Sequence, residues 1–355
     1  MQSVFAVLIF CVVLFLYLHI YFHMKTSNDL EVYEIDQPSK DKLEEVCDLR
    51  QPVLFEYANE RLMESCTLNA MRTSYGAFDV RLRNVKDSAD ETDTTELHVP
   101  LTLHAAAEAF HSDKDSRYIS ENNGDFLEET GLTKTFKYND AFLRPPMVSK
   151  CMYDVVCASP GTATPLRYEL NYRNYYLVTQ GSVKLRLIAP HASKYLYPVA
   201  DYDNFEFRSP VNPWTTQAEY RADFDKIKTM DVELRAGQII YIPAYWWCSM
   251  QFPSGSTLTT ICCFKYRTYM NTVSIIDKLC LWLLQQQNVK RDVIEKKITA
   301  TTNATTNATT NATTMNASIN VAGLGDRAGD SIIGGSVIGD SVIGDRAGSS
   351  SSSSS

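Results

Sequence analysis

The chain has 355 residues, of which 45% are hydrophobic, and it carries 34 basic and 42 acidic residues for a net charge of −8. The hydrophobic fraction is sufficient for one substantial core. Nucleic-acid binding is disfavoured, because most of its affinity comes from clustered lysine and arginine, so no nucleic-acid partner is expected.

The chain begins with an apolar segment, Val4–Phe22, that contains nineteen residues and no charge. A helix of that length is roughly 28 Å long, close to the hydrocarbon thickness of a bilayer. A cleaved signal peptide is the alternative, but it has a basic start and a shorter apolar core, whereas no Lys or Arg precedes Lys25 here. We therefore predict a single-pass membrane anchor over residues 4–22, followed by a linker over residues 23–46. Its orientation stays open, because Lys25 is the only basic residue close to the segment.

The pattern between residues 47 and 285 is that of a folded domain. Period-two alternation predicts half-buried strands, and apolar residues at spacings of three and four predict helices. In the first half of the domain we predict strands over residues 51–57, 77–83 and 116–120 and helices over residues 67–75 and 100–110.

The second half of the domain is predicted to be richer in strands. Strands over residues 174–180 and 182–188 flank a turn at Gly181, and charged residues alternate with apolar ones along the second of them. A turn at Gly237 introduces another apolar strand. The remaining predicted elements are strands over residues 239–243 and 258–267 and a helix over residues 273–284 that covers one end or supports a dimer.

Residues 286–355, beyond the domain, are low-complexity sequence. They contain four tandem sequons, Ser-Val-Ile-Gly-Asp repeats and a closing run of serines. We predict a disordered tail, since short repeats rich in Gly, Ser and Asp bury no core. The sequons are glycan acceptors if this part of the chain is lumenal or external, which would make the protein a glycoprotein; otherwise they are a product of repeat expansion. Their asparagines are Asn303, Asn307, Asn311 and Asn316.

Two motifs in the second half of the domain carry the strongest signal. One is Gly161–Glu169, with Thr164-Pro165 at its centre, and the other is Arg235–Cys248, which contains Ile-Pro-Ala-Tyr-Trp-Trp. Together they resemble the cupin-like JmjC family of iron(II) and 2-oxoglutarate oxygenases, in the branch of the asparaginyl hydroxylase called factor inhibiting HIF. The resemblance covers residues 47–285 and implies a double-stranded β-helix, the cupin or jelly-roll fold, that is mainly β with flanking helices.

The positions that correspond to the family's metal ligands are degenerate. The family has His-x-Asp where this chain has Arg167-Tyr168-Glu169, and a histidine directly after the double tryptophan, where this chain has Cys248. Iron needs ligands with lone pairs, and a guanidinium has none. None of the six histidines lies beyond His191, which is itself expected in an exposed loop, so none can replace Cys248. No bound metal is expected.

Arg167 and Glu169 are two residues apart on a predicted strand, so their side chains are expected on one face. Inside a barrel they are expected to form a charge-assisted pair in the space that the metal occupies in the family. The alternative is a shifted strand whose two charged side chains both lie in solvent.

The positions that correspond to the family's 2-oxoglutarate pocket are only partly kept. Thr164 and Asn174 match family positions that line this pocket. Where the family places a lysine for the cosubstrate carboxylate, this chain has Val183, and an apolar side chain cannot pair with a dicarboxylate. The resemblance therefore implies no cosubstrate binding unless Arg173 or Arg186 reaches the pocket.

These substitutions predict a membrane-anchored, catalytically inactive pseudo-oxygenase that serves as a binding or structural module. Its partner is a protein or small molecule that the sequence does not identify, since a fold alone does not fix a function. One alternative is an active hydroxylase with non-standard ligation by Glu169 and Cys248, and Fe(II) and 2-oxoglutarate are expected as cofactors only in that case. The other is a cupin that binds a small molecule in its cavity.

Overall fold

The computed structural model describes residues 2–85, 98–255 and 258–287. These residues belong to one compact unit, Met1–Arg291. The predicted tail was expected from residue 286, but residues 286 and 287 still belong to a helix. Residues 288–355, with the four sequons and the five-residue repeats, lie outside the described residues, so disorder and glycosylation of the tail stay predictions.

The N-terminal apolar segment forms a helix, α1 (Gln2–Met24). It extends two residues beyond the predicted anchor at each end, and nearly all of its side chains are exposed. Within the described part of the chain it is the one helix long and apolar enough to cross a membrane, a test that a signal sequence near an N-terminus also passes. The helix itself is thus confirmed, and its role as an anchor remains a proposal.

The strands of the described residues assemble into two sheets. In chain order the strands are β1 (Tyr33–Ile35), β2 (Val53–Glu56), β3 (Asp79–Asn84), β4 (Val99–Thr102), β5 (Tyr118–Ser120), β6 (Val148–Ala158), β7 (Arg167–Tyr168), β8 (Arg173–Gln180), β9 (Ser182–Ile188), β10 (Val199–Asp201), β11 (Glu206–Arg208), β12 (Met230–Arg235), β13 (Gln238–Ile242), β14 (Trp247–Gln251) and β15 (Thr259–Thr268). The first sheet has nine strands in the order β1-β2-β13-β8-β15-β6-β5-β3-β4, and the second has six in the order β10-β11-β7-β14-β9-β12.

The inner faces of the two sheets share one hydrophobic core. Tyr176 and Val178 of β8, in the first sheet, pack in this core with Leu185 and Met250 of the second sheet. Leu177, between them on β8, points the other way into a second core that the helices complete. Because both faces of β8 are covered, its apolar residues 175–178 are consecutive and do not alternate with polar ones.

Short helices surround the two sheets. They are α2 (Lys40–Cys47), α3 (Glu60–Ser65), α4 (Leu68–Tyr75), α5 (Leu103–Ser112), α6 (Gly124–Glu129), α7 (Leu132–Asn139), α8 (Arg221–Phe224), α9 (Tyr269–Ser274) and α10 (276–287), with a 3-10 helix over Pro190–Tyr195. Side chains such as Leu62, Phe110 and Phe136, from α3, α5 and α7, pack against Leu177 and Phe264 of the first sheet. The helices therefore cover the outer face of that sheet.

The helix predicted over residues 100–110 begins later than its apolar spacing suggests. Val99–Thr102 forms the strand β4 at the edge of the first sheet, and α5 begins at Leu103. The Thr102 side chain accepts a hydrogen bond from the backbone N–H of Ala105, which fixes the start of the helix. Pro100, which has no N–H to donate, is compatible with an edge strand.

The helix predicted over residues 273–284 is in fact two helices. α9 ends at Ser274, and α10 begins at residue 276 after a turn at Ile275. The side chain of Thr268 accepts a hydrogen bond from the backbone N–H of Asn271 and so caps the start of α9. Ile275 is buried, and this burial fixes the junction between the two helices against the domain.

The chain passes from one sheet to the other at two glycines. Gly181 connects β8 to β9 and Gly237 connects β12 to β13, so these consecutive strands do not form hairpins. The φ angles of Gly181 and Gly237 are 78° and 90°, a region that residues with a Cβ rarely adopt. At Gly181 an added Cβ would also lie 2.6 Å from Oγ1 of Thr259. The strands predicted on both sides of Gly181 and after Gly237 are confirmed, and the turns join the two layers.

The architecture is mixed α/β, with two facing sheets that are consistent with a cupin β-sandwich. The prediction of a mainly β fold understates the helical part. The sequence pattern does not predict α2, α3, α6 and α7, which have only six to eight residues each. Helices of two turns are too short to produce a clear 3.6-residue period.

Candidate functional site

Two neighbouring strands of the second sheet bring together the three positions at which the sequence analysis expects degenerate metal ligands. Arg167 of β7 and Cys248 of β14 are direct partners in the antiparallel register. Side chains of such partners face the same side of the sheet, with Cβ atoms about 5 Å apart. Glu169 follows Arg167 by two residues, and the three side chains line one cavity between the sheets.

The cavity between the sheets is very small. Its volume is about 10 Å³, measured as the space open to the centre of a water-sized sphere, which is near the minimum that holds one water molecule. Thr164 and Asn174, the two matched positions of the cosubstrate pocket, also line it. The complete lining is Thr164, Arg167, Glu169, Asn174, Tyr176, Ile242, Trp246, Cys248 and Met250.

Val183, the third predicted pocket position, does not line this cavity. Its side chain is buried on β9 and packs in the hydrophobic core between the sheets. The two arginines considered as replacements for a lysine also have partners elsewhere. Arg186 pairs with Asp231 at 2.6 Å, and Arg173 pairs with Asp48 at 2.6 Å. Neither of them supplies a cation to the cavity.

Arg167 belongs to a buried group of four charged side chains, Arg83, Glu121, Arg167 and Glu206, that we call the charge cluster. Arg167 donates from Nη2 to Glu121 Oε2 at 2.6 Å and from Nη1 to Glu206 Oε1 at 3.3 Å. Arg83 Nη1 donates to an oxygen of each of the same two carboxylates at 3.1 Å. Arg83 and Glu121 are almost fully buried, while the side chains of Arg167 and Glu206 are 18% and 9% exposed. The cluster contains two cations and two anions.

The charges in the cluster keep Glu121 and Arg167 ionised. Burial alone would raise the pKa of Glu121, but the positive charges of Arg167 and Arg83 outweigh burial and hold that pKa well below its ordinary value. Burial alone would lower the pKa of Arg167, but Glu121 and Glu206 outweigh it and raise that pKa. A permanent cation, the Arg167 guanidinium, therefore lies in the wall of the cavity.

Glu169 has a different partner from the one the sequence suggests. Its Oε1 accepts a hydrogen bond from Lys265 Nζ at 2.6 Å, and its Oε2 accepts one from Asn171 Nδ2 at 3.2 Å. The expected direct pair between Arg167 and Glu169 is therefore wrong, although both side chains line the cavity. Partners from other parts of the chain satisfy each of the two charges separately.

Lys265 is a site residue that the sequence analysis missed. It lies on β15 directly opposite Asn174 of β8. Burial would lower the pKa of Lys265, but the Glu169 carboxylate outweighs it and raises that pKa. The sequence signal for Lys265 is its charge within the apolar run of β15. Cys263, Lys265 and Arg267 share one face of this strand.

Cys248 is a neutral thiol. Burial raises its pKa to about 12, although the nearby charge of Arg167 opposes this effect. The thiolate is the form that binds metals and attacks electrophiles. At neutral pH Cys248 therefore behaves as a small hydrophobic side chain in the wall of the cavity.

The polar side chains that line the cavity are only partly satisfied. Thr164 Oγ1 accepts a hydrogen bond from the backbone N–H of Met250 at 2.8 Å. Asn174 Nδ2 donates to the backbone oxygens of Asn171 and Ile242, both at 3.2 Å. Asn174 Oδ1 and Trp246 Nε1 are buried and have no hydrogen-bond partner among the described residues. The cavity walls thus include one acceptor and one donor that a water molecule could satisfy.

The side chains at this site do not fit the iron centre of the resembled family, which needs two histidines and a carboxylate. Arg167 has no lone pair to donate, Glu169 is bound to Lys265, and Cys248 holds its proton. The described residues contain no group of three or more His, Cys, Asp or Glu that could hold a metal ion. His191 is exposed, as predicted, and its backbone N–H donates to Asn28 Oδ1.

A comparison with protein-family models gives a match for this chain. No curated protein matches this chain. A family model described as a cupin-like domain matches residues 39–259, which are more than half of the chain. This segment contains both sheets except β1 and most of β15. It also contains all nine residues that line the cavity and the four residues of the charge cluster. The chain therefore belongs to the cupin-like domain family.

Proposed function

We propose that this protein is a membrane-anchored cupin-like protein without oxygenase activity, which serves as a binding or structural module. The observation that carries the proposal is the charge cluster, because it holds the Arg167 guanidinium next to Cys248 at the positions that correspond to metal ligands. Fe(II) and 2-oxoglutarate are accordingly not expected as cofactors.

Metal binding at this site would require the existing partners to separate. Glu169 would have to leave Lys265, and Arg167 would have to leave Glu121. Breaking a buried ion pair by removing one partner typically costs about 3–5 kcal/mol. Cys248, the third position, would also have to lose a proton that burial retains.

The size of the cavity also argues against a cosubstrate. A volume of about 10 Å³ accommodates one water molecule. A five-carbon dicarboxylate is many times larger, and its second carboxylate would need a cation deep in the pocket. The position that would supply that cation is Val183, which is part of the hydrophobic core.

The contacts at the end of α1 support the proposal of a retained anchor. His23 is buried: its ring centroid lies 5.2 Å from that of Tyr172, and its Nε2 lies 3.3 Å from Thr268 Oγ1. The Arg50 guanidinium carbon lies 5.1 Å from the ring centroid of Phe22 and 4.6 Å from that of Tyr172. Cleavage after α1 would remove His23 and Phe22 and would leave Arg50 and Tyr172 with exposed surfaces.

Calorimetry of the full chain in detergent tests the loss of the metal site. We expect no binding of Mn(II), a redox-inert substitute for Fe(II), with or without 2-oxoglutarate. Tight binding of Mn(II) that depends on 2-oxoglutarate would overturn the proposal.

A restored variant provides the positive control for that measurement. It combines Arg167→His, Glu169→Asp and Cys248→His with Glu206→Gln, because loss of the arginine charge must be matched by loss of one carboxylate charge. We expect this variant to bind Mn(II). The matched control, Glu206→Gln alone, should not bind it.

Alkaline carbonate extraction tests the anchor. We expect the full chain to stay with the membrane pellet and a variant without residues 2–24 to be released. Release of the full chain would contradict a membrane-spanning α1. A shift in gel mobility after glycosidase treatment would place the sequons on the lumenal or external side, which would fix the orientation.

A small-molecule-binding cupin is the second candidate function, and the unpartnered atoms of Asn174 and Trp246 favour it. A donor and an acceptor in one buried space suit a small polar ligand or a water molecule. Saturable binding of a small polar compound that is lost in Asn174→Leu, at unchanged stability, would support this candidate.

A further inference from the structure

The helix α10 has apolar side chains on its inner face, where it packs on the domain. Ile275, just before it, and Leu279 pack in a small hydrophobic core with residues of the second sheet. The Trp282 ring centroid lies 6.2 Å from that of Phe205, and Gln286 Nε2 donates to the backbone oxygen of Asp203 at 3.0 Å. The positions 275, 279, 282 and 286 follow helical spacing, so this stripe attaches α10 to the domain.

The outer face of α10 is apolar as well, except for the exposed Asp277. Ile276, Leu283 and Leu284 are 58%, 56% and 61% exposed, and Leu281 and Cys280 are exposed beside them. Asp277 and Lys278 are the only charged residues between 276 and 287. A helix on a water-facing surface normally carries polar residues opposite its packed stripe. A row of exposed leucines indicates instead that a further apolar phase covers α10.

The position of α10 in the fold indicates which apolar phase covers its outer face. α9 packs against α1, and a single residue, Ile275, separates α9 from α10. His23 ties the end of α1 to Thr268, the residue that caps α9. α9 and α10 therefore lie at the end of the domain where α1 joins it. The exposed apolar residues of α10 thus follow directly in the chain from the helix that packs on α1.

We infer that α10 lies in the membrane interface, with its outer apolar side chains among the lipids next to the point where α1 enters the bilayer. The inference rests on the proposed anchor role of α1. Helices of this kind lie parallel to the membrane and bury one apolar face at the boundary between headgroups and acyl chains. The domain is thereby attached to the membrane at two places, which fixes its orientation as well as its distance.

Two native cysteines allow the anchor and the interfacial helix to be measured separately. Cys11 is exposed near the middle of α1, and Cys280 is exposed on α10. A fluorophore is attached to Cys280 in Cys11→Ser/Cys151→Ser and to Cys11 in Cys280→Ser/Cys151→Ser. The full chain is then reconstituted in phosphatidylcholine vesicles whose acyl chains carry bromine, which quenches a fluorophore only at close contact.

We expect loss of fluorescence for both labels. A label at Tyr138→Cys, an exposed position on α7, in a variant that also has Ser at positions 11, 151 and 280, should keep its fluorescence. Quenching of the Cys11 label without quenching of the Cys280 label overturns the inference and leaves the anchor intact. Quenching of neither label overturns both. A Cys280 label shielded from aqueous iodide but not quenched by lipid indicates a second copy or the rest of the chain on this face, and also overturns it.

A substitution on the outer face provides a second test. Leu283→Glu/Leu284→Glu should abolish quenching of the Cys280 label while quenching of the Cys11 label persists, because both leucines are exposed and α1 is unchanged. The matched control, Val99→Glu/Tyr138→Glu, also places two charges at exposed apolar positions, away from α10, and should leave both labels quenched. Undiminished quenching of the Cys280 label in the leucine variant contradicts the inference.

Discussion

Replacement of Glu121 by glutamine tests whether the charge cluster stabilises the fold through its charges. Glu121 accepts hydrogen bonds from both arginines of the cluster, at 2.6 Å from Arg167 and 3.1 Å from Arg83. Glutamine keeps the size of the side chain and one acceptor oxygen. It removes the negative charge, so Glu206 is left as the only anion of the cluster.

The expected loss is large because this site is buried. The side chain of Glu121 is 1% exposed, so solvent cannot replace the missing charge. Removal of one partner from a buried ion pair typically costs about 3–5 kcal/mol, which is a substantial part of the roughly 5–15 kcal/mol that stabilises a domain. The matched control is Glu233→Gln, whose side chain is 62% exposed and lies 3.7 Å from Arg235. It should cost less than about 1 kcal/mol.

The pH dependence gives a second, independent expectation. Burial alone would raise the pKa of Glu121, but Arg167 and Arg83 hold it well below the ordinary value of 4.5. Since the folded pKa is the lower one, the unfolded chain binds more protons as the pH falls. The contribution of Glu121 is therefore fully present above about pH 4.5 and is lost as the pH falls towards the folded pKa.

Urea unfolding in detergent measures both effects, with the buried tryptophans 246 and 247 as fluorescent reporters. The difference in unfolding free energy between wild type and Glu121→Gln should be constant near neutral pH and should shrink below about pH 4.5. A cost no larger than that of Glu233→Gln would refute the reasoning. A cost that does not change with pH would also refute the reasoning, because it would arise from the shape of the side chain and not from its charge.

Two further predictions concern Cys248 and Gly181. Burial raises the pKa of Cys248 to about 12, so iodoacetamide at mildly alkaline pH should modify Cys280 and leave Cys248 unmodified in the folded protein. Peptide mass spectrometry measures the modification of both thiols. Equal modification of the two would be incompatible with a buried neutral thiol at position 248. Gly181→Ala should destabilise the fold by about 2–4 kcal/mol, from left-handed strain and overpacking together, because its new Cβ meets Thr259 Oγ1 at 2.6 Å. Gly237 has a similar φ, but a Cβ added there has no atom within 4 Å, so Gly237→Ala should cost only about 1–2 kcal/mol. Equal unfolding free energies of the two alanine variants would argue against the contact with Thr259.

The strands and turns that local patterns determine are predictable from the sequence. The apolar run of β8 and the alternation of β9 predict two strands, and Gly181 between them predicts the turn. The sequence does not show that this turn connects two different sheets, because strand pairing depends on contacts far apart in the chain. In the same way, the cap at Thr102 decides where α5 begins, although the apolar spacing extends before it.

The site was predicted in its positions but not in its partners. Arg167, Glu169 and Cys248 line one cavity because the motifs place them on adjacent parts of the fold. The partners of Arg167 are 39 and 46 residues away, and Lys265 is 96 residues from Glu169. The alternation over residues 77–83 predicts a half-buried strand, but Leu82 and Arg83 are both buried at that end of β3. A period-two pattern reports which residues share a face, and it cannot report whether that face meets water.

The equal number of cations and anions in the charge cluster also limits how the site can evolve. A single exchange of Arg167 for histidine would leave Glu121 and Glu206 with Arg83 as their only permanent cation. An uncompensated buried charge costs about 3–5 kcal/mol, a loss that many domains of marginal stability do not survive. Arg167→His on its own would therefore be selected against unless one carboxylate of the cluster were lost as well. The charge balance of the cluster therefore opposes the formation of a histidine-based centre by single mutations.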